Sequence, residues 1–330
     1  MPNKIFVIGS NSFSGSHFVD YLLTKGFKVL GSSRSNQPKK VFLPYLNNKN
    51  TKNFKFIRCN LNLNQKPLVD LIKKEKPKYI VNFSAQGMVA QSWEAPLDWF
   101  TTNVISQVKF HDEIRKFEFI EKYVHFTTPE VYGNTHTWIK ENNIFSPNSP
   151  YATSRAACDL NLLSFYKNYD FPVVFTRAAN VFGPFQQLYR IIPRTIMSCL
   201  LDFELDLHGG GISERSFIDI RDTVDATYKV MMSGEKGETY HISTKRKISI
   251  RNIVLKVFSI MGKDFDKLVR ISNERLGKDQ AYLLNSNKIR NDLKWKEQYK
   301  LEATIEDTIE WATENLNILK TLPLNYKHKK

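Results

Sequence analysis

With 330 residues, 42% of them hydrophobic, the chain can bury a sizeable core, which excludes a disordered protein and fits one larger domain plus a smaller lobe. Its net charge of +15 would suit nucleic acid, an anionic membrane surface or an anionic small substrate. The lysines are scattered, however, through segments such as Lys73-Lys74-Glu75-Lys76 and Lys327-His328-Lys329-Lys330, and no helix-turn-helix, zinc-finger or RNA-binding signature organises them, so nucleic acid is not an expected partner.

The first predicted element is the apolar strand Lys4–Ile8, followed by Gly9-Ser10-Asn11-Ser12-Phe13-Ser14-Gly15 and a helical pattern over 17–25. Strand, glycine turn and helix in that order make a dinucleotide fingerprint in which Ser12 takes the place of the middle glycine. Gly9 would make the tight turn and Gly15 would let the helix pack on the strand. The pyrophosphate would rest on the N–H groups of the helix start, around Ser12 and Phe13. An ordinary βα turn would carry the same two glycines.

A second strand over 28–31 ends in Ser32-Ser33-Arg34-Ser35, where NAD-binding chains carry an acid for the ribose hydroxyls. No acid is present. Ser33 and Arg34 suit a 2′-phosphate, because a guanidinium binds it through paired hydrogen bonds, so NADP is the expected cofactor with NAD as the alternative. Arg34 as one more solvated cation is the competing reading.

Further strands are expected over 54–58, 79–83, 123–127 and 173–176, with helical periodicity between them. This alternation argues an α/β fold, a Rossmann-type doubly wound parallel sheet. Beyond Asn180 the pattern turns irregular, with Pro184, Pro193, a Gly209-Gly210-Gly211 turn and short strands near 238–243 and 282–284. That part reads as a smaller α/β substrate-binding lobe closing over the carboxyl ends of the strands. The expected division places 1–182, with a returning segment at about 216–247, in the dinucleotide domain, and 183–215 with about 248–330 in the lobe.

Cys59, Cys158 and Cys199 are an odd, widely spaced set without metal-ligand spacing, which fits a reducing cytoplasm and no metal site. No signal peptide is recognisable and no apolar run reaches membrane-spanning length, so no membrane partner is expected.

Ser149-Pro150-Tyr151-Ala152-Thr153-Ser154-Arg155 places a cation one helical turn after a tyrosine. In a nicotinamide-dependent enzyme a tyrosine so placed removes a hydroxyl proton while hydride leaves the same carbon. A phenol titrates near 10, so a fixed cation is needed to make it a base near neutrality. The usual cation is lysine; here it is Arg155.

Taken together, these segments resemble the extended short-chain dehydrogenase/reductases that act on nucleotide sugars, and among them the dTDP-glucose 4,6-dehydratases. The resemblance rests on the glycine loop, Asn82-Phe83-Ser84-Ala85-Gln86, Thr102-Asn103-Val104, Thr127-Thr128-Pro129-Glu130-Val131-Tyr132-Gly133, Ser149-Pro150-Tyr151, Asn180-Val181-Phe182-Gly183-Pro184, Arg190-Ile191-Ile192-Pro193 and Arg215-Ser216-Phe217-Ile218-Asp219. It implies that Tyr151 oxidises the sugar C4, that Arg155 stands for the family lysine, that Thr128 binds the C4 oxygen and that Glu130 takes the C5 proton. It places Asn60, Ser84, Ala85 and Asn103 at the cofactor. Gln86, Asn180, Arg190, Arg215 and Arg275 fall at the nucleotide-sugar substrate, and a homodimer would form through helices near 96–116 and 151–168.

The chain departs from that pattern in three places. Pro129 replaces the aspartate that protonates the leaving C6 hydroxyl, Arg155 replaces lysine, and Asn60 replaces an acid at the adenine. The expected function is an NDP-sugar 4,6-dehydratase forming a 4-keto-6-deoxy sugar by transient C4 oxidation. An NDP-sugar epimerase or NDP-uronate decarboxylase on the same fold is the near alternative, and a non-catalytic cofactor-binding regulator the distant one.

Overall fold

The computed structural model describes residues 4–135, 137–274, 277 and 279–329. Its centre is a seven-stranded sheet: β1 (Lys4–Ile8), β2 (Lys28–Ser33), β3 (Phe54–Arg58), β4 (Tyr79–Asn82), β5 (Lys122–Thr127), β6 (Val173–Ala178) and β7 (Thr239–Ile242). The spatial order is β7-β6-β5-β4-β1-β2-β3, and every pairing is parallel. Apart from the edge strand β3, where Lys55 and Arg58 are exposed, the strands are largely buried on both faces, which explains their near-continuous apolar runs. In β1, Ile5 and Val7 enter one core cluster while Phe6 and Ile8 enter the other, as a two-residue side-chain period requires.

Strand order reverses between β1 and β4. That switch point opens a crevice at the carboxyl ends of the strands, the place where ligands of such sheets bind. Helix α1 (Phe13–Thr24) starts there, with Ser12 as its cap: the hydroxyl accepts from Gly15 N at 3.1 Å and donates to Gly9 O at 2.7 Å. Helix α2 (Pro150–Tyr169) starts at the other side of the crevice, capped by Ser149 and opened by Pro150 at a position that needs no N–H.

The short strand near 238–243, read from the sequence beside the irregular part, is β7 of the main sheet and pairs with β6. Between β6 and β7 the chain leaves the sheet to build much of the second lobe. There helix α3 (Ile191–Leu201) packs with helices α4 (Ile250–Ile260) and α5 (Leu301–Glu314) around Phe182, Ile192, Phe217, Ile253 and Trp311. Leu205–His208 pairs with Val269–Ser272. A small four-stranded sheet joins Ile248–Ser249, Glu214–Arg215, Ala281–Leu284 and Trp138–Ile139, and so ties the lobe to the segment that follows Glu130. Among the described residues no helix is long and apolar enough to cross a membrane.

Candidate active site

The crevice is one large cavity of about 1240 Å³, walled by the glycine loop, the ends of β2 through β6, the start of α2 and the second lobe. Its floor is set by glycine. Gly9 has φ +81°, and a Cβ there would lie 2.8 Å from Ser84 N; one on Gly15 would lie 2.2 Å from Gly9 O. The loop therefore approaches the end of β4 as closely as backbone allows. The α1 N-terminus carries no acid in its first turn, so nothing there repels a phosphate. This cradle fits the pyrophosphate of a nicotinamide dinucleotide.

Ser33 and Arg34 line the cavity at the end of β2, but both have protein partners. Ser33 Oγ accepts from Asn11 N at 2.9 Å and so fixes the glycine loop. Arg34 Nη1 donates to Gln86 Oε1 at 3.1 Å and to the Lys329 carbonyl at 2.9 Å, while its other nitrogens make no hydrogen bond among the described residues. Asn60 also lines the wall, its Oδ1 accepting from Asn62 N at 3.0 Å in a local turn. Ser84 and Ala85 form the edge beyond β4, where Asn82 Oδ1 accepts from both Ser84 N and Oγ. Asn103 stands behind that wall. It is fully buried and clamps the backbone of Gln86, accepting from its N–H at 2.7 Å and donating to its carbonyl at 3.0 Å.

Thr128, Glu130 and Tyr151 meet in the cavity beyond the end of β5. Thr128 caps a short turn, Pro129–Tyr132, with Pro129 at its first position, which presets the backbone that aims Glu130. The Thr128 hydroxyl donates to Glu130 Oε2 at 3.2 Å, and Thr128, Glu130 and Tyr151 line the same cavity. Burial pushes the Glu130 carboxyl up to about 7; Arg215 pulls it down, Asp279 adds to the rise, and Thr128 and Arg190 oppose it. Burial, with the nearby Glu130 charge, also raises the Tyr151 phenol, against the opposing effects of Arg155 and Thr128.

Arg155 turns inward. Its Nη2 donates to the Phe126 carbonyl at 2.5 Å and lies 3.3 Å from His125 Nε2, while Nε and Nη1 find no partner among the described residues. The side chain is 2% exposed yet borders the cavity, so the larger guanidinium is held by the end of β5 and acts on Tyr151 through charge rather than a direct bond.

On the lobe side Arg215 stacks on Tyr282 at 4.1 Å and donates to the Asp279 and Gln280 carbonyls at 2.6 and 3.1 Å. Tyr282 in turn donates to Asn180 Oδ1 at 2.7 Å. Arg190 faces the same cavity with no ion-pair partner among the described residues. Arg275 lies outside the described residues. Sequence reasoning missed Asp279 and Tyr282, and also Met88, which lines the cavity at φ +75°. A bulky side chain in that backbone region is a strained arrangement of the kind found at ligand sites.

The model of the GDP-mannose 4,6 dehydratase family matches residues 6–308. The chain belongs to this family. Its relatives include the human dTDP-D-glucose 4,6-dehydratase, 28% identical over 95% of this chain and 91% of that protein. It also matches the trifunctional UDP-glucose 4,6-dehydratase of Arabidopsis thaliana at 26% identity, but spans only 48% of that protein's length. Among solved structures, dTDP-glucose 4,6-dehydratase from Bacillus anthracis in complex with NAD superposes with a TM-score of 0.85 at 28% identity, covering 97% of this chain and 100% of that one. The Streptomyces venezuelae dTDP-glucose 4,6-dehydratase, also solved with NAD, gives 0.90 at 25% identity and the same coverage. Both solved relatives hold NAD, and the fold they share with this chain is that of the short-chain dehydrogenase/reductases.

Proposed function

We propose that the chain is an NDP-hexose 4,6-dehydratase, a lyase that converts its substrate to the 4-keto-6-deoxy sugar. The observation that carries this reading is the Tyr151, Thr128 and Glu130 cluster opening on one cavity with the dinucleotide cradle. Thr128 and Tyr151 hold the C4 oxygen, and Tyr151 accepts its proton. A bound oxidised nicotinamide supplies a hydride acceptor for C4, a positive charge, and later the hydride that C6 receives. The new ketone acidifies C5, and Glu130 takes that proton. The C6 hydroxyl then departs as water, and with no acid at position 129 the proton it needs comes from Glu130 itself, whose raised pKa of about 7 suits a group that both takes and gives a proton near neutrality. Glu130, reprotonated from solvent, would return a proton to C5 as C6 is reduced, and Tyr151 would shed the C4 proton to solvent, so the net change is loss of one water.

Arg190, with no ion-pair partner among the described residues, and Arg215 supply cations for the substrate diphosphate. NADP is favoured over NAD by the missing acid after β2 and by the nitrogens of Arg34 that remain unbonded. Arg34→Asp should reverse that preference. Exposed Leu97, Ile105 and Leu160 on the helices near 96–116 and 151–168 support a homodimer through those helices. Three free, buried cysteines suit a reducing cytoplasm. A domain division near 182, 216 and 247 is part of this proposal, supported by a chain that leaves the main sheet after Ala178 and rejoins it at Thr239–Ile242.

Incubation with a panel of NDP-sugars, read by product mass, tests the function. Loss of one water supports the dehydratase. Pro129 favours one second reading, an enzyme that never eliminates from C6; unchanged mass would then mark an epimerase, and loss of carbon dioxide a uronate decarboxylase.

A further inference from the structure

Residues 322–329 cross the mouth of the cavity. After the short helix Leu316–Leu319 the chain bends through 322–325 without regular structure, and Leu322, Leu324, Tyr326 and His328 turn inward while Pro323, Asn325, Lys327 and Lys329 are exposed. The two halves of this segment are held differently. Leu319, Leu322 and Leu324 pack into the apolar cluster around Trp311, and Arg194 grips the Leu324 carbonyl at 2.9 Å and Asn325 Oδ1 at 2.7 Å. Beyond Asn325 the partners lie mostly on the dinucleotide side. Gln86 Nε2 donates to the Tyr326 hydroxyl at 2.6 Å, and Arg34 donates to the Lys329 carbonyl. The His328 ring stacks on Trp99 at 5.0 Å and 9°, with Nε2 2.6 Å from Asp98 Oδ2 and Nδ1 3.2 Å from Gln86 Nε2.

Six of these residues, Leu322, Pro323, Asn325, Tyr326, Lys327 and Lys329, border the cavity, which keeps about 1240 Å³ with the segment in place. That exceeds the roughly 300–1,000 Å³ of an ordinary small-molecule site, so the segment roofs the site rather than filling it. Its anchored base and polar tip describe a hinged cover: burying Leu322 and Leu324 fixes one end, and a handful of individually modest polar contacts latch the other. The latch residues Arg34 and Gln86 also border the dinucleotide cradle.

We propose that residues 325–329 are a strap, hinged at Leu322–Leu324 and latched by Arg34, Gln86, Asp98 and Trp99, that closes over the nicotinamide dinucleotide and retains it between turnovers. The inference rests on the dehydratase reading, in which a redox-neutral cycle never requires cofactor exchange. Lys327 and Lys329 bring positive charge to the rim where the dinucleotide phosphates enter.

Stopped-flow displacement of bound NADH or NADPH, followed by nucleotide fluorescence, tests it on the full chain and on a variant ending at Leu324. The shortened variant should release the nucleotide at least about tenfold faster, equivalent to ~1.4 kcal/mol of lost retention. The double variant Tyr326→Phe, His328→Ala guards against a folding defect and should also release faster, with an unchanged melting temperature in the absence of nucleotide. Trypsin cleavage after Lys327 in the full chain should slow when nucleotide is bound. Equal release rates with cleavage indifferent to nucleotide overturn the strap and leave the dehydratase reading standing. Faster capture by the shortened variant with unchanged release marks an inhibitory plug and also overturns it. A full chain that binds neither nucleotide overturns both the strap and the functional reading on which it rests.

Discussion

At the scale of single residues, Glu130 is the position on which the proposed chemistry turns. As a base it must be ionised, and its pKa of about 7 means that solvent-deuterium entry at C5 should rise with pH below about 7 and level off above it. Glu130→Gln should abolish that exchange, as mass spectrometry of recovered sugar would show. The same shift bears on stability. A carboxyl raised from 4.5 to about 7 by folding favours the folded state fully below 4.5, and loses that contribution as pH climbs through about 7. Glu130→Gln should therefore melt higher than the parent protein at pH 8, with the gap closing toward pH 4.5. Pro129→Asp would restore a general acid next to Glu130, and water loss should accelerate by roughly 10²–10⁴-fold, the usual weight of such a group. No acceleration, with C4 oxidation intact in single-turnover absorbance, would favour the epimerase or decarboxylase chemistry. That Tyr151 and Glu130 would line the cavity was legible, Tyr151 from its spacing to Arg155 and Glu130 from the family resemblance. The inward turn of Arg155 was not, since it depends on a carbonyl on β5, about thirty residues away in the chain.

At the scale of elements, the βα turn shows how much a glycine can decide. A methyl on Gly15 would sit 2.2 Å from the Gly9 carbonyl oxygen, and Ser12 Oγ is 2.8 Å away, so neither neighbour can yield without moving the loop. Gly15→Ala should fold yet bind NADH or NADPH at least tenfold more weakly in a fluorescence titration. Strands β1 to β6 could be read from their apolar runs. Strand β7 could be recognised as a strand but not assigned its neighbour, because pairing across sixty residues of intervening lobe leaves no local periodicity. Segment 322–329 presents the reverse case. Leu322, Leu324, Tyr326 and His328 alternate with polar or proline positions, a period-two signal that was present but masked by the lysines read as scattered surface charge.

At the scale of the whole molecule, the chain enters the main sheet, leaves it after β6, and returns for β7 before its last helices complete the lobe. Neither part owns a continuous stretch of chain, and opening either one exposes apolar surface of the other. Thermal unfolding should accordingly be a single transition, with far-ultraviolet circular dichroism and tryptophan fluorescence coinciding. The tryptophans sample both sides, Trp99 at the dinucleotide half and Trp311 in the lobe cluster. Two separated transitions would show that the parts fold independently. The net charge of +15, which from composition alone suited several polyanions, is given a narrower use by Arg190 and Arg215 at the cavity and by Lys327 and Lys329 on its rim.

The small four-stranded sheet sets a limit on how such an enzyme can change its substrate. Ala281–Leu284, which carries Tyr282 and follows Asp279, pairs with Trp138–Ile139; Thr135 N bonds the Ala281 carbonyl at 2.8 Å, and Ala281 N bonds Asn134 Oδ1 at 2.8 Å. These partners follow Glu130 directly in the chain. Residues that would face the sugar nucleotide are thus stitched, backbone to backbone, to the segment that carries the base. A recognition loop transplanted from another family member would have to bring its own version of 134–139 with it, so new specificities should arise by paired exchange of the two segments rather than by loop swaps alone.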